Sequence, residues 1–98
     1  SADCASSVAL VVNELVQNAP EYAFPSGQAG RIGIELHSGR PLCQLTVWDN
    51  GVGFQADALA PEARLELAST IVREKLTGEW SVESGPGGTR ISFDFLEQ

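Results

Sequence analysis

The sequence predicts an α+β domain, a two-layer sandwich in which helices cover one face of a mixed, mostly antiparallel sheet. Three observations predict it. Apolar residues recur at helical spacing in two segments and alternate along four others. These segments follow one another as helix, two strands, helix, two strands. The links within each strand pair are short, which favours antiparallel hairpins. The 98 residues are therefore expected to form a single domain, residues 1–98, with one core.

The first helix is predicted over residues 7–19, because the apolar residues of this segment share one face. That face comprises Val8, Val12, Leu15 and Ala19, widened by Val11 and Val16. Pro20 opens a stretch rich in proline and glycine. Because the proline ring removes a backbone N–H, we expect the helix to bend or end near Pro20.

The first hairpin is predicted from Arg31 to Trp48, where two alternating segments flank a short turn. Its apolar faces comprise Ile32, Ile34 and Leu36 on one strand and Cys43, Leu45 and Val47 on the other. The second hairpin covers residues 79–95 around the turn "GPGG". Its inward residues are predicted to be Ile91, Phe93 and Phe95.

The second helix is predicted between the hairpins, from about Glu62 to about Leu76. Its common face consists of Leu65, Ala68, Val72 and Leu76. We expect Thr77-Gly78 to end it, since glycine commonly follows the last helical turn.

Composition narrows the classes of function. With 13 acidic and 6 basic side chains the net charge is −7, which argues against a nucleic-acid partner. No apolar run approaches the ~20 residues of a membrane span, so no direct membrane insertion is expected. Cys4 and Cys43 are far apart and lack the spacing of metal ligands. We interpret them as thiols in a reducing, cytoplasmic compartment, with a disulfide between them as the alternative.

Polar residues at two places suggest a ligand site. Glu14 and Asn18 lie four positions apart, on one helix face beside the apolar stripe, and offer oxygen atoms that suit Mg²⁺. The alternative, which the spacing alone favours, is that they are solvated positions of an amphipathic helix. Asp49 ends a predicted strand and is followed by Gly51 and Gly53. This pattern fits either a plain hairpin turn or a loop whose glycines let a flat ligand approach the backbone.

Three motifs in this order resemble one family. "NELVQNA" at 13–19 looks like its N box, and "DNGVGF" at 49–54 looks like its first glycine box. "GPGGTRISFDF" at 85–95 looks like its closing strand. Together they resemble the ATP-binding domain of bacterial sensor histidine kinases, in the superfamily of gyrase, Hsp90 and MutL, with a Bergerat-type fold. The resemblance runs from Val8 to Phe95.

The resemblance implies an adenine site. Asp49 matches the aspartate that holds the adenine amino group, with Gly51 and Gly53 in the glycine box beside the base. Thr89 matches the threonine that reaches the adenine, often through water. From its residues alone, Thr89 is either an edge hydroxyl of a hairpin or part of a site.

The resemblance also implies a catalytic role with ATP and Mg²⁺ as cofactors. Asn18 matches the asparagine that ligates Mg²⁺, and Glu14 matches the acidic residue that polarises the attacking group or supports the metal site. Such a protein histidine kinase domain phosphorylates a histidine on a separate dimerisation module, which then serves a response regulator. The chain's only histidine, His37, falls at the turn end of a hairpin and is expected at the surface.

Several residues depart from the family pattern on the phosphate side. Glu21 stands where a basic residue is usual, and Pro20 stands where the helix commonly continues. Glu62 and Arg64 replace glycines of the second glycine box, although Arg64 could supply the missing positive charge to the phosphates. The family usually has further strands before the N box, so we expect a trimmed or divergent N-terminus. The alternative function is therefore a degenerate kinase-like module that binds a signalling partner without hydrolysing ATP.

Overall fold

The computed structural model describes residues 2–23, 30–39, 41–51 and 65–96. Within these ranges the elements follow the predicted order of helix, two strands, helix, two strands. They are α1 (Ala2–Ala23), β1 (Ile32–His37), β2 (Leu42–Asp49), α2 (Glu66–Ile71) continued by a π-helical turn (Val72–Leu76), β3 (Trp80–Gly85) and β4 (Gly88–Leu96).

The four strands form one sheet in the order β1-β2-β4-β3. Each of its three neighbouring pairs is antiparallel, so the described sheet is antiparallel where a mixed one was expected. Both predicted hairpins are confirmed, and the central pair joins one strand of each. Helices α1 and α2 pack against each other, α1 packs against β2, and the π-helical turn packs against β4. The α+β class is confirmed.

Helix α1 is longer than predicted at both ends: it begins at Ala2 and continues to Ala23, a little past Pro20. Proline favours the backbone φ angle of a helix, and what it removes is one N–H donor. Only three helical residues follow Pro20, so the lost hydrogen bond lies in the last turn, where the cost is small. The buried centre of the helix consists of Val11, Leu15 and Ala19, while Val8, Val12 and Val16 are half-buried.

The second helix buries the face that the sequence predicts. That face comprises Leu65, Ala68, Val72 and Leu76, all of them in the core. The predicted start near Glu62 lies outside the described residues. The predicted end is confirmed: Thr77 adopts a left-handed conformation with φ 50°, and the Gly78 N–H donates to the Val72 carbonyl over 3.1 Å.

Apolar side chains form two cross-strand rows on the sheet face that the helices cover. One row consists of Ile34, Val47, Ile91 and Val82, and the next consists of Leu36, Leu45, Phe93 and Trp80. The central strands are buried, but β1 is an edge strand. Ile34 is 54% exposed, whereas its partner Val47 is 2% exposed. The alternation in β1 therefore correctly predicted which side chains lie on the helix-covered face. At this edge of the sheet, however, that face extends beyond the core.

Two further expectations concern the cysteines and the membrane. Cys4 and Cys43 are both thiols, as predicted. The Cys4 thiol lies 3.8 Å from the Leu96 carbonyl oxygen, and the Cys43 thiol lies 3.9 Å from that of Gly39.

Within the described ranges, no helix combines the length and the apolar character needed to cross a membrane.

Candidate functional site

A third cross-strand row on the helix-covered face is polar. Asp49 at the end of β2 lies opposite Thr89 on β4, and Thr89 lies opposite Ser84 on β3. We call these three residues the polar row. Asp49 is 6% exposed and Thr89 is 1% exposed. Because burying polar groups is costly unless they are hydrogen-bonded, polar side chains beside an apolar core require local partners or a ligand.

The loop after β2 holds the Asp49 side chain. The Gly51 N–H donates to Asp49 Oδ1 over 2.9 Å. Asn50 connects the same loop to the residue before β1, because its Oδ1 accepts a hydrogen bond from the Arg31 N–H over 2.7 Å. Among the described residues, Asp49 Oδ2 has no hydrogen-bond partner, so this oxygen is available to a donor from a ligand.

The turn at Asn50-Gly51 does not form a simple hairpin. Strand β2 is hydrogen-bonded on both sides, by β1 and by β4, so no strand directly after Gly51 can pair with it. Of the two interpretations that the sequence left open, the plain hairpin turn is wrong. Buried Gly51 instead fixes a carboxylate at the sheet's end.

Gly88 brings β4 against the end of β2. Its φ angle is +138°, a conformation that residues with side chains rarely adopt. A Cβ atom at this position would also overlap the Asp49 carbonyl oxygen. The sequence assigned Gly88 only to a turn. The run "GPGG" was the available signal for a close approach of backbone, but it did not show which of its glycines contacts another strand. Gly85 and Gly87 face open space.

The Thr89 hydroxyl has a partner on the neighbouring strand. Thr89 Oγ1 and Ser84 Oγ are 2.8 Å apart, and either atom can be the donor. Thr89 is therefore more than an edge hydroxyl, since it is buried between two other oxygen-bearing side chains. Ser84 was not identified from the sequence, because a serine on an alternating strand gives no signal of its own.

Glu14 and Asn18 meet on α1 as their spacing predicts. The Asn18 amide nitrogen donates to the Glu14 carbonyl oxygen over 2.9 Å and to Glu14 Oε1 over 3.1 Å. Both residues are half-buried, beside the buried stripe of Val11 and Leu15. The nitrogen is thus occupied, and in the described part of the chain Asn18 Oδ1 has no hydrogen-bond partner. An amide oxygen is a suitable ligand for a hard cation.

The described residues offer few other metal ligands. No three His, Cys, Asp or Glu side chains in these ranges come together as a preformed metal site. A cation at Asn18 would therefore take most of its oxygen ligands from water or from phosphates, which is how Mg²⁺ is commonly bound. The residues present fit that mode of binding.

Some predicted site residues cannot be placed. Gly53 and Arg64 lie outside the described residues, as do Glu62 and the side chain of Glu21. The polar row and the pair Glu14–Asn18 are the parts of the site that the structure describes.

Comparison with known proteins identifies the class. Residues 5–98 match the model of the histidine kinase-, DNA gyrase B- and HSP90-like ATPase family. The chain belongs to this family. Its fold is similar to the histidine kinase domain from Erythrobacter litoralis EL346 blue-light activated histidine kinase, with a TM-score of 0.81 and 25% identity. That alignment covers 95% of this chain and 47% of the other chain.

Two other histidine kinases share the fold. The catalytic domain of ThkA aligns with a TM-score of 0.72 and 20% identity, over 93% of this chain and 65% of that one. Acinetobacter baumannii AdeS aligns with a TM-score of 0.73 and 19% identity, over 93% of this chain and 46% of that one. A search of curated proteins gave no match. The chain is thus a histidine kinase-type ATP-binding domain, as its motifs predicted.

Proposed function

We propose that this chain binds ATP together with Mg²⁺ and acts as the catalytic domain of a sensor histidine kinase. In this proposal it transfers the γ-phosphoryl group to a histidine on a separate dimerisation module, which in turn serves a response regulator in the cytoplasm. The observation that carries the proposal is the buried carboxylate of Asp49, held by Gly51 in the polar row of an ATPase-family domain.

Asp49 supplies the selectivity for adenine. Its Oδ2 accepts a hydrogen bond from the exocyclic amino group of adenine, while Oδ1 stays bonded to Gly51. Thr89 lies beside it on the same face and contacts the base directly or through water. Guanine presents a carbonyl oxygen where adenine has its amino group. A buried carboxylate left facing a carbonyl costs about 1–3 kcal/mol, which disfavours guanine.

Glu14 and Asn18 serve the phosphate side in this proposal. Asn18 Oδ1 would hold Mg²⁺, whose charge offsets the repulsion between a triphosphate and a chain of net charge −7. The Glu14 carboxylate orients Asn18 by accepting a hydrogen bond from its side-chain amide. In this proposal it also acts as a general base and takes a proton from the attacking imidazole. Arg64 is proposed to add a positive charge near the phosphates.

The test is a calorimetric titration of the 98-residue chain with ATP and GTP, each with and without Mg²⁺. We expect ATP to bind at least about tenfold more tightly than GTP, with the ATP affinity increased by Mg²⁺. Equal affinity for ATP and GTP would refute the role of Asp49. Absence of nucleotide binding would favour the alternative, a degenerate module that binds a signalling partner. The features that suggest this alternative, the side chain of Glu21 and the residues Glu62 and Arg64, lie outside the described part of the chain.

A further inference from the structure

We infer that Asn50 is a positioning residue that aligns the Asp49 carboxylate with the amino group of adenine. This inference rests on the proposed function, because it concerns how the same site recognises the base. Asn50 stands between Asp49 and Gly51 in the chain, and its own hydrogen bonds are with Arg31. It therefore acts on the carboxylate through the backbone of the loop.

Arg31 and Asn50 form the rung that follows the last strand pair of β1 and β2. The Asn50 N–H donates to the Arg31 carbonyl oxygen over 3.2 Å, as in an ordinary antiparallel pair. The Arg31 N–H, however, donates to Oδ1 of the Asn50 side chain over 2.7 Å, where an ordinary pair would use the backbone carbonyl. Both donors are backbone N–H groups, so the direction of each hydrogen bond is fixed.

This exchange of acceptors lets the chain turn without losing the rung. Because the side chain supplies the acceptor, the backbone carbonyl of Asn50 is not needed in the ladder and the chain can leave the strand at this residue. One residue later, the Gly51 N–H points back and donates to Asp49 Oδ1 over 2.9 Å. The position of that N–H depends on the backbone of Asn50, which the two hydrogen bonds to Arg31 hold in place.

The Gly51 N–H in turn sets the direction in which the Asp49 carboxylate faces. With Oδ1 occupied by Gly51, Oδ2 is the oxygen that accepts from the adenine amino group. Without a fixed donor the carboxylate turns about its terminal bond and has to be ordered when the nucleotide binds. Ordering a group only on binding reduces affinity, whereas a group that is already held avoids this loss. Removal of the Asn50 side chain should therefore weaken recognition of the amino group and leave phosphate binding unchanged.

The test compares two Mg²⁺-bound nucleotides by calorimetry: ATP and purine riboside triphosphate, which has hydrogen in place of the amino group. We expect the natural chain to prefer ATP by about tenfold or more, the value of a hydrogen bond to a charged group. Asn50→Ala should reduce that preference to below about threefold. Asn50→Asp should restore it, because aspartate also offers an oxygen to the Arg31 N–H. The added charge of aspartate acts on both triphosphates alike, so it cancels in the comparison.

A second measurement needs no nucleotide. Hydrogen exchange of the Gly51 amide, followed by NMR, should be faster in Asn50→Ala than in the natural chain, because local opening of the loop exposes this N–H. Asn50→Asp should return it towards the natural rate. Ile34→Ala is the matched control, since it alters an exposed residue of the same edge strand and leaves the rung between Arg31 and Asn50 intact.

Three results would overturn the inference. They are an unchanged preference for ATP in Asn50→Ala, an equal loss of that preference in Ile34→Ala, and unchanged exchange of the Gly51 amide in Asn50→Ala. If any of them occurs in a chain that still binds ATP more tightly than GTP, the role of Asn50 fails and the proposed function stands. If the natural chain binds GTP as tightly as ATP, the proposed function fails and this inference fails with it.

Discussion

Gly88 lies against the backbone carbonyl of Asp49, with no room between them for a side chain. The contact joins the first residue of β4 to the last residue of β2. Because Thr89 follows Gly88 directly, the close approach also sets the spacing between Thr89 and Asp49. The geometry of the candidate adenine site is thus fixed by backbone packing as well as by side-chain hydrogen bonds.

Gly88→Ala should destabilise the domain and weaken ATP binding together. The new Cβ meets the Asp49 carbonyl, and the left-handed φ angle is strained for alanine, so we expect a loss of more than about 1 kcal/mol in the free energy of unfolding. Urea denaturation measures it. Gly87→Ala is the control, since a Cβ there meets open space. An equally stable Gly88→Ala variant would contradict this account.

Asp49→Asn should weaken ATP binding at least about tenfold without unfolding the domain. The asparagine keeps an oxygen for the Gly51 N–H, but it places an NH₂ group where the adenine amino group would donate. Circular dichroism checks the fold, and calorimetry measures ATP and GTP affinity. Unchanged affinity for ATP would remove Asp49 from the site.

Asn18→Ala should reduce the affinity for ATP in the presence of Mg²⁺ by about fivefold or more, with little effect on AMP. It removes the proposed metal ligand, and alanine itself favours the helix. The control is Asn13→Ala on the exposed face of α1, where Asn13 accepts only a 3.3 Å hydrogen bond from Gln17 among the described contacts. Equal losses for ATP and AMP would place Asn18 away from the phosphates.

Ile91→Ala should cost about 2–5 kcal/mol in the free energy of unfolding, because it opens a cavity under the helices. Ile34 belongs to the same cross-strand row but is largely exposed, so Ile34→Ala should cost less than about 1 kcal/mol. Chemical denaturation measures the free energy of unfolding of both variants. Because both replace isoleucine with alanine, the difference between them reports the effect of burial. Similar losses would mean that the edge strand is buried in solution.

The isolated chain should not phosphorylate itself. His37 is the chain's only histidine and is exposed at the end of β1. Its Nε2 lies 3.9 Å from Glu35 Oε1, and β1 is far in sequence from Asn18 on α1. Incubation with labelled ATP should leave no acid-labile phosphate on the chain, whereas a separate histidine-containing dimerisation module should accept label. Phosphate found on His37 would contradict the assignment of the acceptor to another module.

The sequence by itself determined which elements form and in what order. Period-two alternation identified all four strands, and helical spacing identified both helices, because these patterns depend only on neighbouring residues. It also determined the chemistry of the candidate site: an aspartate at a strand end, a threonine after a glycine run, and Glu14 with Asn18 one helical turn apart.

Only the tertiary structure decided which elements become neighbours and which of their residues are buried. Asp49 and Thr89 are adjacent because β2 pairs with β4, and this pairing also brought in Ser84 and Gly88. The same strand order left Ile34 exposed at an edge although its alternation matches that of buried strands. Burial and close approach depend on which strands become neighbours, and long-range hydrogen bonding and packing settle that choice rather than any local pattern.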